Sequence, residues 1–179
     1  MKYFYVGATD GADPGAVAAV AARMATEFGG PVRRLDLGDV EFAFDPARSQ
    51  YASIPILEML LRRCPEDARK LLAVARHDLF IPVLTFVFGH AQLNGRAGVI
   101  SLARLQQEFY GLAPDREVFL ERVVKEALHE AGHMFGLVHC PERRCAMSLA
   151  TNVRQIDSKD NAFCPQCAAR LRRQMGVEP

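Results

Sequence analysis

The segment from His129 to His139 reads His-Glu-x-x-His-x-x-Gly-x-x-His, and this pattern constrains the chain more than any other feature. On a helix, His129 and His133 lie one turn apart on the same face, so their imidazoles can share one divalent ion, and imidazole nitrogen suits zinc. Gly136 falls where the helix is expected to end, because glycine tolerates the left-handed conformation, and His139 can then return as a third ligand. Three neutral histidines leave the fourth position of a tetrahedral zinc for water, which is typical of catalytic sites.

Glu130 lies about 100° further around the same helix, where it is beside the ion without ligating it. The alternative without a metal is an ordinary helix whose two histidines are solvated, and the extension of the motif through Gly136 and His139 argues against it. A second alternative keeps the metal but replaces His139 as the third ligand by an acidic residue. The candidates for that position are Glu142, Asp157 and Asp160.

Four of the five cysteines crowd into the C-terminal part of the chain as two closely spaced pairs, namely Cys140, Cys145, Cys164 and Cys167. Two such pairs predict a closed structural zinc site with four thiolate ligands, and a set of reduced thiols without metal is the alternative. The isolated Cys64 is expected to be an inert, partly buried thiol. Basic side chains that can offset the thiolate charge lie close in sequence, and they are Arg143, Arg144, Lys159, Arg170, Arg172 and Arg173.

Met147 lies two residues beyond Cys145, in a turn that the cysteine site would hold in place. We expect its thioether to pack beneath the three imidazoles as an apolar floor. Gly132, in the middle of the histidine helix, costs about 1 kcal/mol relative to alanine, which predicts a close approach there by the sheet or by substrate. The remaining histidines, His77 and His90, could line the cleft, but they are interpreted as solvated loop residues.

Composition excludes several classes of partner. Half of the 179 residues are hydrophobic and 24% are charged, as in soluble globular proteins, and the formal net charge of +1 favours neither nucleic acid nor an anionic membrane surface. No apolar stretch approaches the roughly 18 residues of a membrane-spanning helix, and the N-terminal apolar run is too short for a signal peptide. The expectation is a cytoplasmic, monomeric protein with no membrane or nucleic-acid partner.

Hydrophobic periodicity predicts alternating strands and helices followed by a hairpin and a long helix. Because strands joined by helices run parallel and hairpin strands run antiparallel, this order predicts a mixed sheet. The predicted strands are Lys2–Val6, Val32–Leu37 and Leu71–Ala75; the helices are Ala16–Phe28, Ile54–Cys64 and Asp115–Gly136; the hairpin strands are Leu84–His90 and Ala97–Leu102, around Asn94-Gly95; Asp39–Gln50 is expected to be an irregular connection.

The long histidine motif, the methionine turn and the two cysteine pairs together resemble the archaemetzincins, a family in the metzincin clan of zinc peptidases. The resemblance implies an α/β (α+β) fold, in which a twisted mixed sheet with backing helices lies above a long active-site helix and a small zinc-stapled C-terminal subdomain. It implies one metallopeptidase domain over residues 1–179, divided into an upper subdomain, 1–136, and a C-terminal subdomain, 137–179.

The resemblance also concerns the substrate. It implies that an antiparallel edge strand at about Leu84–His90 binds extended peptide by strand addition. Some metzincins carry a tyrosine ligand two residues after the turn methionine, but Leu149 occupies that position here, so we expect no fifth protein ligand.

The leading functional hypothesis is zinc-dependent hydrolysis of peptide bonds in a peptide or protein substrate, with one catalytic and one structural zinc. Glu130 would take a proton from the attacking water and deliver it to the leaving amine. One alternative is a catalytically silent, zinc-stabilised module that binds peptides or proteins. A second is a nucleic-acid binder that uses the cysteine site and the basic segment Arg170–Arg173, and the near-neutral charge argues against it.

Overall fold

The computed structural model describes residues 2–176, so Met1 and residues 177–179, at the ends of the predicted domain, lie outside it. All the strands among the described residues lie before residue 102, and the regular elements after it are helices. The strands are β1 (Tyr3–Thr9), β2 (Val32–Gly38), β3 (Phe44–Asp45), β4 (Gln50–Ala52), β5 (Ala68–Ala75), β6 (Leu79–Phe80), β7 (Gly89–Ala91) and β8 (Ala97–Ser101). The helices are α1 (Pro14–Phe28), α2 (Ser53–Arg63), α3 (Arg116–Met134), α4 (Val153–Asp157) and α5 (Pro165–Met175), with 3-10 turns at Glu41–Ala43, Ala103–Leu105 and Gln107–Tyr110.

The main sheet has five strands in the order β2-β1-β5-β8-β7. All neighbours are parallel except β7, which pairs antiparallel with β8 at the edge, so the predicted mixed sheet is confirmed. Alternate residues of β5 point to opposite faces, and both faces are covered. Leu72 packs in the apolar cluster that contains residues of α1 and α3, whereas Leu71 packs in the cluster that contains residues of α2.

The prediction of a strand over Leu84–His90 is wrong in extent, because only Gly89–Ala91 forms the edge strand. Before it, Val87 makes one isolated bridge to Leu79. Backbone carbonyls that a longer strand would use already accept hydrogen bonds from side chains. Arg48 donates to Leu84 O at 2.8 Å, and Gln50 donates to Thr85 O at 3.0 Å. The connection that contains these two side chains was expected to be irregular, yet it includes β3, β4 and a 3-10 turn.

Helix α3 begins and ends close to the predicted residues. The side chain of Asp115 accepts a hydrogen bond from Val118 N and caps the first turn. Gly136 adopts the left-handed conformation, with φ of 85°, and the amides of Gly136 and Leu137 donate to His133 O and Gly132 O. This is the Schellman arrangement, and it turns the chain back beneath the helix.

The hairpin between β7 and β8 holds the end of α3 against the sheet. Asn94 N donates to His133 O at 2.8 Å, and Lys70 of β5 donates through Nζ to Gly95 O at 2.7 Å and to Met134 O. The loop tip and one buried lysine therefore satisfy carbonyls of the last helical turn, where intrahelical donors run out. Among residues 2–176, no helix is both long enough and apolar enough to cross a membrane.

We predict that Lys70→Met lowers stability by about 2 kcal/mol, because the carbonyl of Met134 loses a charged donor in a buried place. For a domain of this size the loss corresponds to a fall in Tm of about 4–8 °C, measured by thermal unfolding. Lys2→Met, at an exposed lysine, is the matched control. Equal Tm values for the two variants would contradict the anchoring role of Lys70.

Candidate active site

Three histidine side chains meet where α3 ends. His129 and His133 extend from successive turns of the helix, and the Schellman turn at Gly136 returns the chain so that His139 joins them. One ring nitrogen of each histidine lies within 4.8 Å of a ring nitrogen of the other two. The predicted grouping of these three residues is therefore observed.

Backbone carbonyls orient the first two rings. His129 Nδ1 lies 2.9 Å from Ala146 O, and His133 Nδ1 lies 2.8 Å from Leu137 O. Because a carbonyl only accepts hydrogen bonds, each Nδ1 carries the proton, and in a neutral ring Nε2 then presents a lone pair. Burial lowers the pKa of all three histidines, which favours this neutral form.

The two Nε2 atoms of His129 and His133 are 3.1 Å apart. With both protons on Nδ1, neither atom can donate to the other, so two lone pairs face each other and require a cation between them. Two nitrogen ligands of a tetrahedral zinc are expected about 3.3 Å apart from the usual Zn–N length. The donor set, its tautomers and its spacing therefore fit zinc.

Glu130 lies beside the histidines in the wall of the same cavity and is only 4% exposed. Its side chain packs against Gly89 of the edge strand, where an added Cβ would come within 2.5 Å of Glu130 Cγ. Burial, followed by the neighbouring Glu126, raises the pKa of Glu130 well above the ordinary value. Its Oε2 has no hydrogen-bond partner among the described residues and is free to accept a proton.

The cavity that contains these groups has a volume of about 600 Å³. Its walls come from the edge strand, from α3 and from the C-terminal segment, and they are mostly apolar, with exposed rim residues such as Leu93, Val138 and Leu149. A cavity of this size and lining can enclose part of a peptide.

The interpretation of His77 and His90 as solvated residues is wrong. His90 lies on β7, lines the cavity and is bonded through Nδ1 to Ser53 Oγ at 2.8 Å. His77 is half-buried, with its ring centroid 3.9 Å from that of Tyr51. The sequence carried no signal for these positions, because both depend on contacts with segments more than 20 residues away.

Met147 is fully buried, and its Sδ lies against Gly132 of the histidine helix. Its role as a floor beneath the imidazoles stays a prediction. The prediction that the sheet or a substrate approaches Gly132 closely is wrong, because the nearest side chains are those of Met147 and Phe163. A Cβ at Gly132 would come within 2.3 Å of Met147 Sδ and 3.2 Å of Phe163 Cε1. The glycine therefore admits the methionine turn.

The sulfur atoms of the four clustered cysteines, Cys140, Cys145, Cys164 and Cys167, lie within 4.8 Å of one another. The Sγ atoms of Cys140 and Cys164 are 3.8 Å apart, about the edge length expected for a tetrahedral zinc–thiolate site. Cys145 Sγ accepts hydrogen bonds from Met147 N at 3.4 Å and Cys164 N at 3.3 Å, which would stabilise a thiolate. This donor set also fits zinc.

The acidic alternatives to His139 are engaged elsewhere. Asp157 receives two hydrogen bonds from Arg122 at 2.7 and 2.8 Å, and Asp160 is paired with Arg144. Glu142 accepts a hydrogen bond from Arg144 N at 3.1 Å. No acidic residue joins the histidine group within residues 2–176.

The basic residues predicted to offset the thiolate charge divide into two groups. Lys159 is buried and lines the histidine cavity. The others are exposed to solvent: Arg143, Arg144, Arg170, Arg172 and Arg173.

Comparison with known proteins adds independent information. A model of peptidase family M54 matches residues 67–173. The archaemetzincin of Methanocaldococcus jannaschii is 42% identical over 130 residues, which cover 73% of this chain and 70% of that protein. The archaemetzincin of Methanopyrus kandleri is 42% identical over 135 residues, which cover 75% of this chain and 73% of that protein.

Solved structures are similar over nearly the whole chain. The crystal structure of the Methanopyrus kandleri archaemetzincin superposes with a TM-score of 0.85 at 35% identity, covering 97% of this chain and 96% of that one. A zinc-dependent peptidase from Methanocorpusculum labreanum superposes with a TM-score of 0.83 at 33% identity, covering 94% of this chain and 99% of that one. The predicted fold class is confirmed by these likenesses.

We predict that Gly132→Ala destabilises the protein although alanine favours helices by about 1 kcal/mol over glycine. The added methyl group meets Met147, and overpacking of this kind costs about 1–3 kcal/mol. Thermal unfolding should show a lower Tm, and chelator competition should show weaker zinc retention. In a Met147→Ala background the same substitution should cost less, and an equal cost in both backgrounds would contradict the contact.

Proposed function

Because the chain belongs to peptidase family M54 and is a zinc-dependent metallopeptidase, we propose that the histidine cavity is the site of peptide-bond hydrolysis. His129, His133 and His139 are the proposed ligands of the catalytic zinc, and Glu130 is the proposed general base. The observation that carries the proposal is the pair of facing Nε2 lone pairs beside the unpartnered Oε2 of Glu130.

A zinc ion held by the three histidines would polarise the scissile carbonyl and lower the pKa of a bound water towards about 7. The protein side chains supply the rest of the chemistry. Glu130 accepts the proton of the attacking water at its carboxylate and delivers it to the leaving amine nitrogen.

Substrate binding is proposed at the edge strand. β7 is the last strand of the main sheet, so an extended peptide can pair with its free side. The corrected strand bounds, Gly89–Ala91, restrict this pairing to a few residues directly above Glu130, whose side chain contacts Gly89. The scissile bond would then lie between the strand and the histidines.

The second proposed metal site is structural. Cys140, Cys145, Cys164 and Cys167 would hold a zinc that closes the C-terminal segment. We propose the predicted division at residue 137, with both subdomains in one domain, because one apolar cluster joins Leu137, Met147 and Leu171 to residues of α1 and α3. The cytoplasmic location and the monomeric state stay predictions from the sequence.

We predict that Glu130→Gln abolishes cleavage of a peptide library, with a loss of about 1,000-fold or more in kcat, because an amide cannot accept the proton. Zinc content should be unchanged, since Glu130 is not a proposed ligand. Glu117→Gln, at an exposed glutamate in the first turn of the same helix, is the control and should retain activity. Cleavage that survives in Glu130→Gln would overturn the role of the base, and a wild-type protein that never cleaves would favour the silent binding module.

We predict two zinc ions per chain, each removable by a different substitution. Elemental analysis of His139→Ala should show loss of the catalytic zinc with a smaller fall in Tm than loss of the structural zinc causes. Cys145→Ser should lose the structural zinc and unfold at a markedly lower temperature, because that site closes the C-terminal segment. Cys64→Ser, at the isolated cysteine, should keep both ions; a single zinc in the wild type would contradict the two-site assignment.

A further inference from the structure

Lys159 is a buried cation that the proposed chemistry does not use. It is 3% exposed and lines the catalytic cavity together with Glu126 and Glu130. Its Nζ donates to Ala146 O at 3.4 Å, the same carbonyl that receives the proton of His129 Nδ1. This buried ammonium therefore contacts the carbonyl that orients His129, and it lies in the same cavity as Glu130.

The negative charge of Glu126 accounts for the burial of the Lys159 ammonium. Glu126 and Glu130 lie four residues apart on one face of α3, and each is only 4% exposed. Two carboxyl groups buried side by side repel each other when both are ionised, which raises the pKa of both, and a nearby positive charge lowers the cost of ionising them. Burial lowers the pKa of Lys159, and the charges of Glu126 and Glu130 are the two largest influences that oppose this shift and favour the protonated form.

The Lys159 ammonium interacts with the two carboxyl groups over a longer distance than an ion pair. Among residues 2–176, no carboxylate oxygen lies within 4.0 Å of Lys159 Nζ. Because the groups are enclosed, water screens the interaction less than it would at the surface. The ammonium can therefore balance the carboxyl pair while its own hydrogen bond goes to Ala146 O.

Hydrogen bonds fix the backbone on both sides of Lys159. Asp157 binds Arg122 of α3 through two hydrogen bonds, and Lys125 Nζ donates to Asp157 O at 3.2 Å. On the other side, Asp160 N donates to Arg144 O at 2.7 Å, in the loop between the first two cysteines. Contacts with α3 and with the cysteine loop together therefore fix the position of Lys159.

We propose that Lys159 is a positioning residue that balances the charge of Glu126 beside the general base and fixes the carbonyl that orients His129. This role rests on the proposed function of Glu130. It differs from substrate binding, because the ammonium is engaged with groups of the protein itself. Lys159 thereby connects the cysteine loop to the geometry of the catalytic cavity.

The test is a charge cycle between residues 126 and 159. Lys159→Met keeps the length of the side chain and removes its charge, so kcat should fall by about 100-fold, the effect of losing one preorganised polar group, while KM changes little. Glu126→Gln in the Lys159→Met background removes the unbalanced carboxylate and should restore at least part of kcat. Lys159→Arg keeps the charge and should retain more activity than Lys159→Met.

Arg154→Met is the matched control, because Arg154 is a cation on the same C-terminal segment that is exposed to solvent and does not line the cavity. Its kcat should stay near the wild-type value. A rise in KM with unchanged kcat in Lys159→Met would show that Lys159 binds substrate and would overturn the proposal. Failure of Glu126→Gln to restore activity, or an equal loss in Arg154→Met, would overturn it as well.

A second readout is independent of catalysis. In protein stripped of the catalytic zinc, Lys159→Met should lower Tm. In this zinc-free protein, Glu126→Gln should lower Tm less in the Lys159→Met background than in the wild-type background, or should raise it. Additive effects would refute the charge balance. If the wild type shows no Glu130-dependent cleavage, the proposed function fails, and this unfolding cycle still decides whether Lys159 balances Glu126.

Discussion

The hydrogen bond from His129 Nδ1 to the carbonyl of Ala146 connects the two halves of this protein. It fixes the tautomer of His129, a proposed zinc ligand on α3, by an acceptor in the loop that follows Cys145. The same loop is held by hydrogen bonds to the sulfur of Cys145 and by Cys140 N donating to Met147 O at 2.9 Å. The order of the cysteine site is therefore transmitted to the imidazole through one carbonyl.

Two glycines permit the close approaches on which this arrangement depends. Gly132 opens the underside of α3 to the thioether of Met147, and Gly89 opens the edge strand to the side chain of Glu130. At either position a Cβ would overlap a group of the site. Glycine has a lower intrinsic preference for helices and strands than alanine, so what these two residues contribute is the shape of the site.

The second half of α3 is buried on most sides although it carries many polar groups, including Glu126, His129 and Glu130. Burial of such groups costs free energy, and the structure offsets part of that cost with fixed partners on the C-terminal segment. Among residues 2–176, the polar groups of this helix segment without a hydrogen-bond donor include the Nε2 lone pairs and the buried Oε2 of Glu130, and these lie in the cavity. Residual polarity in an enclosed cavity is what a metal-dependent hydrolytic site requires.

The sequence by itself determined the local features: the helix with histidines one turn apart, its end at Gly136, the two cysteine pairs and the mixed sheet. These follow from periodicity and from backbone preferences that act within a few residues. Only the tertiary structure decided the extent of the edge strand, the partner of Gly132, and the entry of His90 and Lys159 into the cavity. Those features depend on contacts between segments distant in the chain, and such contacts leave no periodic signal in the sequence.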